Sequence, residues 1–455
     1  MSHFDLIIVG TGVAGRTAAE EAATAGLRTA IVDCREFGGT CALRGCEPKK
    51  ILSAAAEVVL RARGQAGHGV AGEAALDWPE LIAFKRRFTD DLPAIFEAGM
   101  RDARQTLLHG VARFTSPGAI DVAGTEHTAD AFLLATGAKP MALGTPGEEL
   151  LIDSERFMEL PQLPARIVFV GGGFISFEFA GVAAAAGVAV TILHRSERAL
   201  KGFDPDLVTL LVAQYAEWGI DVRLNTPVAA IRADAAALAI DLADGSTLPC
   251  DLAVHGAGRV PDLDALDLAA AGVAFGPLGI EVDAHMRSVG NERVWAAGDA
   301  AAAGPPLTPV GVSQARVAVR NIVARSRAAE SSVDAAAGAA WAPLVVPSCA
   351  FTQPPLASAG LSQRECEQRG LDVDVKLTDT SSWLSSQRVG LAHTGAKTLV
   401  ERTTGRILGA HLLGHGAEEV ANLFALAIAQ GLTRDELKAM LWAYPTASSE
   451  IVYLV

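Results

Sequence analysis

Residues 4–15 read FDLIIVGTGVAG and residues 166–176 read RIVFVGGGFIS. In each, a short apolar run (Leu6 to Val9, Ile167 to Val170) meets a glycine-rich turn and then an alanine-rich helical stretch. A run that short, bounded by glycine, reads as a buried strand. Working outward, the first helix reaches about Ala25, Gly26 ends it, and a second strand, Thr29 to Val32, delivers Asp33. The second unit repeats the plan, with a helix through Ala185, then Gly187 and a strand from Ala189 to Leu193. Two strand–glycine–helix–strand units predict an α/β chain with two doubly wound, Rossmann-like dinucleotide-binding domains.

The two turns differ in what they can hold. In the first, Gly10 makes the tight turn, Gly12 lets a pyrophosphate approach the backbone, and Gly15 lets helix pack on strand. The helix N-terminus offers amide donors to the phosphates, and Asp33 can accept from an adenosine ribose hydroxyl. In the second, Gly171 and Gly173 precede Ser176, and the following strand runs into LHRSERALK with no carboxylate at its tip. Arg195, Arg198 and Lys201 suit a ribose 2′-phosphate, which a carboxylate there would repel. The pair of sites suggests two dinucleotides, FAD first and NADPH second.

Composition bounds the rest. The chain has 455 residues, half of them apolar and a fifth charged, enough for about three domains and several cores. With 38 basic and 52 acidic residues the net charge is −14, which disfavours nucleic acid and anionic membrane surfaces as partners. The longest apolar stretch, Ala180 to Leu193, falls short of a membrane span and is broken by Gly181, Gly187 and Thr191. No signal peptide is expected from the N-terminus, and a cytoplasmic enzyme is the reading. Six cysteines are too few for a disulfide scaffold. Cys41 and Cys46 stand out, because a close pair in a glycine-rich segment of a cytosolic enzyme points to redox chemistry or a metal.

The segment GGTCALRGCEPKK, residues 38–50, resembles the redox-active disulfide of the class I flavoprotein disulfide reductases, the group of glutathione reductase, dihydrolipoamide dehydrogenase and mercuric reductase. The likeness spans essentially the whole chain: ATGAKP from Ala135, GAGRVPD from Gly256, WAAGDAA around Asp299, LTPVGVSQAR from Leu307 and VPSCAFTQPPLASAGL from Val346 all look like family signatures. The resemblance implies an FAD-binding domain at 1–147 and 267–326, an NAD(P)H-binding domain at 148–266, a linker at 327–342 and an α+β dimerisation domain at 343–455. It implies that Cys41 is the interchange thiol and Cys46 the thiol facing the flavin. Lys49 and Glu178 match the ion pair beside the flavin, and Phe174 stands where an aromatic gate, usually tyrosine, is displaced by nicotinamide. Gly39, Thr40, Thr136, Gly137 and Asp299 fall on the FAD side, with Thr308 near the pyrimidine edge, and Gly258 falls on the NADPH side. No metal site is expected; His411 and His415 read as strand and turn rather than as one helix face.

The chain also departs from that family. A partner-subunit histidine and a glutamate five residues later form its acid–base dyad, yet LWAYPTASSEIVYLV places Tyr444 and Ser449 there, with Glu450 one further. A tyrosine is a poor base at neutral pH. Where glutathione reductases present a serine and an arginine to glutathione, this chain has Val13 and Glu20, although Arg316 matches. Mercuric reductases carry a tyrosine at the histidine position but end in a cysteine pair, and nothing after Cys366 is cysteine. The expectation is therefore a homodimer, its active site shared across the interface, passing electrons from NADPH through FAD and Cys41/Cys46 to a small-molecule disulfide or similar acceptor. The alternatives are a reductase of soft metal ions or quinones, and a slow redox sensor.

Overall fold

The computed structural model describes residues 2–235, 237–331 and 338–455. The chain forms two compact units, each built from three separate stretches. The first comprises Met1–Lys49, Phe84–Met141 and Arg259–Ala342, the second Lys50–Ala83, Ala142–Gly258 and Pro343–Val455.

The first unit is organised by strand β1, Ser2–Val9, whose Leu6, Ile7 and Ile8 are fully buried. Helix α1, Val13–Thr24, buries Ala18, Ala19 and Ala22, small residues that let it pack closely. Strand β2, Thr29–Asp33, lies parallel to β1 on one side, and Thr125–Leu134 lies parallel to it on the other. Beyond β2 comes Thr106–His109, and Val294–Ala296 also joins Thr125–Leu134, in a seven-stranded sheet. Because the strand order reverses direction at β1, its carboxyl end is the switch point where such sheets open a crevice. That end carries Gly10. Helices cover Trp78–Thr89 and Leu92–Asp102, after which Thr106 to Leu108 register as a strand against Ala30 to Val32. Backbone pairing to an existing parallel strand overrides weak helical periodicity there.

The second unit holds a four-stranded parallel sheet in the order Asp221–Arg223, Ala189–Leu193, Arg166–Val170, Leu252–His255. Its helix Phe174–Ala185, apolar apart from Ser176 and Glu178, is buried at every position from Ile175 onward. Phe157, Phe169, Phe177, Phe179 and Tyr215 fill the surrounding core, and the Tyr215 hydroxyl donates to the Phe177 carbonyl at 2.6 Å. The C-terminal stretch adds a five-stranded antiparallel sheet, with helix Ala417–Ala429 packed on the strands Leu356–Gly360 and Ile407–Leu413. The fold is thus mixed α/β, with two doubly wound sheets as the glycine turns predict and an α+β C-terminal region as the resemblance implies. Helix Thr308–Ser331 runs into the stretch read as a linker, because its alanines and arginines propagate a helix well. Residues 332–337 of that stretch lie outside the described residues. Among the described residues, no helix is long and apolar enough to cross a membrane.

Candidate active site

In the first unit the chain leaves β1 at Gly10 and enters α1 at Gly12, whose N-terminal amides have no side-chain cap. Gly15 is required by close approach, since a Cβ there would lie 1.9 Å from the Gly10 carbonyl oxygen. At the end of β2, Asp33 Oδ2 accepts from the Thr11 N–H at 2.8 Å and from its hydroxyl at 2.5 Å. The same hydroxyl accepts from the Gly38 N–H at 3.1 Å. These bonds tie the dinucleotide turn to the start of helix α2, Gly39–Arg44. Gly39 has φ +69°, and a Cβ on it would meet Gly12 Cα at 2.2 Å, so only glycine lets the two helix N-termini touch.

That contact sets where the cysteines stand. Cys41 lies in α2 beside Thr40, and Cys46 opens the next helix, α3, Cys46–Gly64. Thr308, which begins the helix Thr308–Ser331, brings its hydroxyl 3.3 Å from Cys41 Sγ and 3.6 Å from Cys46 Sγ. The Cys41 thiol donates to Cys46, which together with the Thr308 hydroxyl and the Lys49 charge pulls the Cys46 thiol down to about 6, against the opposing effect of burial. Its place at a helix N-terminus acts in the same direction. The same hydrogen bond pushes Cys41 well up, assisted by burial and the Cys46 charge. The pair loses its first proton from Cys46 and holds the second on Cys41.

Groups left over by the protein's own bonding test whether a flavin dinucleotide fits here. The Thr136 hydroxyl is buried without a hydrogen-bond partner among the described residues. Asp299 sits in the short turn Gly298–Ala300, its carboxyl raised by burial against the opposing charge of Arg259. A ligand rich in hydroxyls satisfies both, and α1 presents free amides to its phosphates. Gly137 follows Thr136 with φ +73° and accepts from the Asp262 N–H at its carbonyl. The residues present fit FAD.

In the second unit Gly171 lies against the Gly256–Ala257 backbone, Gly173 caps the helix Phe174–Ala185, and Gly258 takes φ +119°. Phe174 is 46% exposed at the helix start, whereas Glu178 is buried, its Oε1 accepting from the Phe351 N–H at 2.7 Å. Lys49 belongs to the first unit and Glu178 to the second. Arg195 and Lys201 are exposed, and Arg198 donates to the Lys201 carbonyl at 3.1 Å. His194 occupies the place Asp33 holds in the first unit. It stands 23 residues after Gly171, as Asp33 stands 23 after Gly10. Its Nδ1 accepts from the Gly172 N–H at 3.1 Å, just as Asp33 accepts from Thr11. Burial and the charges of Lys201 and Arg195 lower its pKa, which favours the neutral ring this bond needs. An imidazole in the slot that Asp33 fills in the first unit was visible in the equal spacing, but only the paired hydrogen bonds give it meaning.

Near the C-terminus Tyr444 is 80% exposed. Ser449 is engaged locally: it donates to the Thr446 carbonyl at 2.6 Å and closes a capping box with Thr446, so no side chain at that position orients residue 444. Glu450 is raised by burial, with Ser385 and Arg388 opposing. Three features escaped the sequence reading. They are Thr308 at both sulfurs, the engagement of Ser449 in a cap, and the stacking of Arg16 on Phe96, 3.9 Å from ring centroid to guanidinium.

Residues 4–318 match the pyridine nucleotide-disulphide oxidoreductase family, and residues 346–455 match the dimerisation domain of the same enzymes. The chain is 32% identical over 457 residues to a glutathione reductase of Burkholderia cepacia, covering 99% of this chain and 98% of that one. It is 30% identical over 464 residues to the chloroplastic/mitochondrial glutathione reductase of Pisum sativum, covering 99% and 82%. In fold it superposes on the HOCl-induced flavoprotein disulfide reductase RclA of Escherichia coli, as its Cu(II) complex, with a TM-score of 0.86, 24% identity, and coverage of 100% and 99%. With a dithiol beside a dinucleotide turn, a second dinucleotide turn and a dimerisation domain, the chain belongs to the pyridine nucleotide-disulphide oxidoreductases, oxidoreductases that use FAD and a pyridine nucleotide to act on sulfur groups.

Proposed function

We propose that this protein is a homodimeric NADPH-dependent reductase of small disulfides whose leaving thiol has a low pKa. The observation that carries the reading is the Cys41–Cys46–Thr308 cluster, in which one sulfur is ionised near neutral pH and the other keeps its proton. Cys46 is the thiolate that exchanges electrons with the cofactor, and Cys41 is the sulfur that attacks the acceptor. FAD, when bound, relays two electrons between NADPH and this pair. Gly10, Gly12, Gly15, Asp33, Gly39, Thr40, Thr136, Gly137 and Asp299 hold it, with Lys49 at its reacting edge. Gly171, Gly173 and Gly258 receive NADPH, Phe174 covers the nicotinamide site, and Arg195, Arg198 and Lys201 take the 2′-phosphate. The low cysteine count suits a reducing cytoplasm. The test is NADPH consumption by the holoenzyme against a panel of disulfides, metal–thiol adducts and quinones. Turnover of quinones or metal adducts alone refutes the disulfide reading.

Cofactor choice gives a direct check. Replacing Arg195 and Lys201 together with glutamine raises the NADPH Michaelis constant by an order of magnitude or more and leaves that for NADH nearly unchanged, since only NADPH carries the 2′-phosphate (~10-fold per lost charge-assisted contact). Equal catalytic efficiency of the wild type with both nucleotides contradicts the assignment.

Loss of the dyad predicts slow turnover of oxidised glutathione. General acid–base assistance is worth about 10²–10⁴-fold, so rates fall below those of dyad-bearing enzymes by about that factor. The carboxylate of Glu20, exposed on α1, adds repulsion against a glutathione carboxylate. Acceptors whose leaving thiolate needs no proton escape most of the penalty. Tyr444→Phe slows the preferred acceptor if the hydroxyl donates to it, and steady-state kinetics on that acceptor reads the difference.

A further inference from the structure

A nucleophilic thiolate is stabilised by a nearby positive charge, which an imidazolium provides in enzymes that carry the dyad. Here the first unit offers a different cation. Val13, Arg16 and Glu20 recur at helical spacing and share one face of α1. The Arg16 guanidinium lies over the Phe96 ring, 3.9 Å from its centroid. Phe96 in turn packs on the turn that carries Cys41, since a Cβ added to Gly38 would come within 2.9 Å of its ring. The touching helix starts at Gly12 and Gly39 put Arg16 about one turn into α1 and Cys41 at the opening of α2, on neighbouring elements. Arg16 Nε is buried and has no hydrogen-bond partner among the described residues. Burial lowers the guanidinium pKa, while the charges of Glu47 and Cys41 act against that lowering, so both lie within its electrostatic reach.

We infer that Arg16 is a positioning residue for disulfide exchange: its fixed charge, held over Phe96 beside Cys41, stabilises the attacking thiolate in place of the missing imidazole. The inference rests on the disulfide reductase reading above. The charged and titratable groups that face Cys41 are Cys46 and Glu47 from the start of α3 and Arg16 from α1, with the Thr308 hydroxyl alongside, while the Lys49 charge acts on Cys46.

The exchange balances without a dedicated base. The reduced pair holds two electrons and one proton. When that proton passes from Cys41 to Cys46, Cys41 attacks one sulfur of RS–SR; the Cys41–SR bond forms, the S–S bond breaks and RS⁻ departs. Cys46 then gives its proton to that RS⁻ and attacks Cys41 Sγ, forming the Cys41–Cys46 disulfide and expelling the second RS⁻. A guanidinium gives up no proton at these pH values, so Arg16 contributes only charge, at the moment Cys41 carries it.

The test uses NADPH-reduced holoenzyme, alkylated with iodoacetamide across pH, with mass spectrometry reading Cys41 separately from Cys46. In Arg16→Gln, and in Arg16→Met, which keeps the stem over Phe96, Cys41 alkylates about tenfold more slowly at pH 7 and its rate profile moves to higher pH. Acceptor kcat/KM falls by a similar factor, while the long-wavelength absorption band expected of a Cys46 thiolate lying against bound flavin stays. Arg16→Lys restores most of the rate. An unchanged alkylation profile in both neutral variants overturns the inference, and so does a loss that lysine does not restore. If the wild type reduces no disulfide, the acceptor reading fails, yet the alkylation profiles still decide the role of Arg16.

Discussion

Cys46→Ser removes the long-wavelength absorption band of the NADPH-reduced holoenzyme, and Cys41→Ser keeps it, although both drop disulfide reduction below about a thousandth of wild type. The asymmetry follows from the proton distribution in the pair. Cys46 is the sulfur ionised first, at about 6, because Cys41 and Thr308 bond to it and Lys49 adds charge. A thiolate with a depressed pKa is present above that value and lost as pH falls through it. The band therefore fades as pH drops through about 6, reversibly. Thr308→Val removes a hydroxyl 3.6 Å from Cys46 Sγ and moves that fading to higher pH. Absorption spectra of the three variants across pH make the measurement. A band that survives Cys46→Ser means the flavin-facing sulfur is misassigned, and a midpoint unmoved in Thr308→Val means the hydroxyl does not hold the thiolate.

Lys397→Met destabilises the second unit by about 3–5 kcal/mol, the usual consequence of leaving a buried charge without its partner. Lys397 and Asp204 are 4% and 2% exposed at their side chains, with Nζ 2.9 Å from Asp204 Oδ2 and 2.5 Å from Asp206 Oδ2. Asp204 also caps the helix Pro205–Glu217, its Oδ1 accepting from the N–H groups of Asp206 and Leu207 at 3.1 and 3.5 Å. The one lysine thus joins the strand Gly395–Glu401 to the helix that follows the Arg195–Lys201 segment. Urea unfolding of the full chain, followed by tryptophan fluorescence, reads the loss. Adding Asp204→Ser to Lys397→Met recovers a large part of it, because serine still caps the helix and no carboxylate remains stranded at 204. A loss below about 1 kcal/mol in the single variant shows that water reaches the pair and refutes its burial.

The sequence alone was sufficient for the two dinucleotide turns, Asp33, the basic run after Leu193 and the cysteine pair. Each is a local pattern: glycines whose spacing meets a backbone demand, an acid or cation at a strand end, two thiols within one glycine-rich segment. That Tyr444 and Ser449 stand where the resemblance implies a histidine and a glutamate was legible for the same reason, as both are read directly from their positions. Tertiary structure alone decided how the thiols are tuned. Thr308 reaches Cys41 across 267 residues of chain, and the ionisation order follows from that contact and from the bond between the sulfurs. The same holds for Arg16 over Phe96 and for Lys397 on Asp204, pairs that no periodicity announces. Strand and turn formation depends on neighbours a few residues away, which a linear pattern records. The charge state of a thiol and the burial of an ion pair depend on which distant groups folding brings within a few ångströms, and that is settled only when the elements pack.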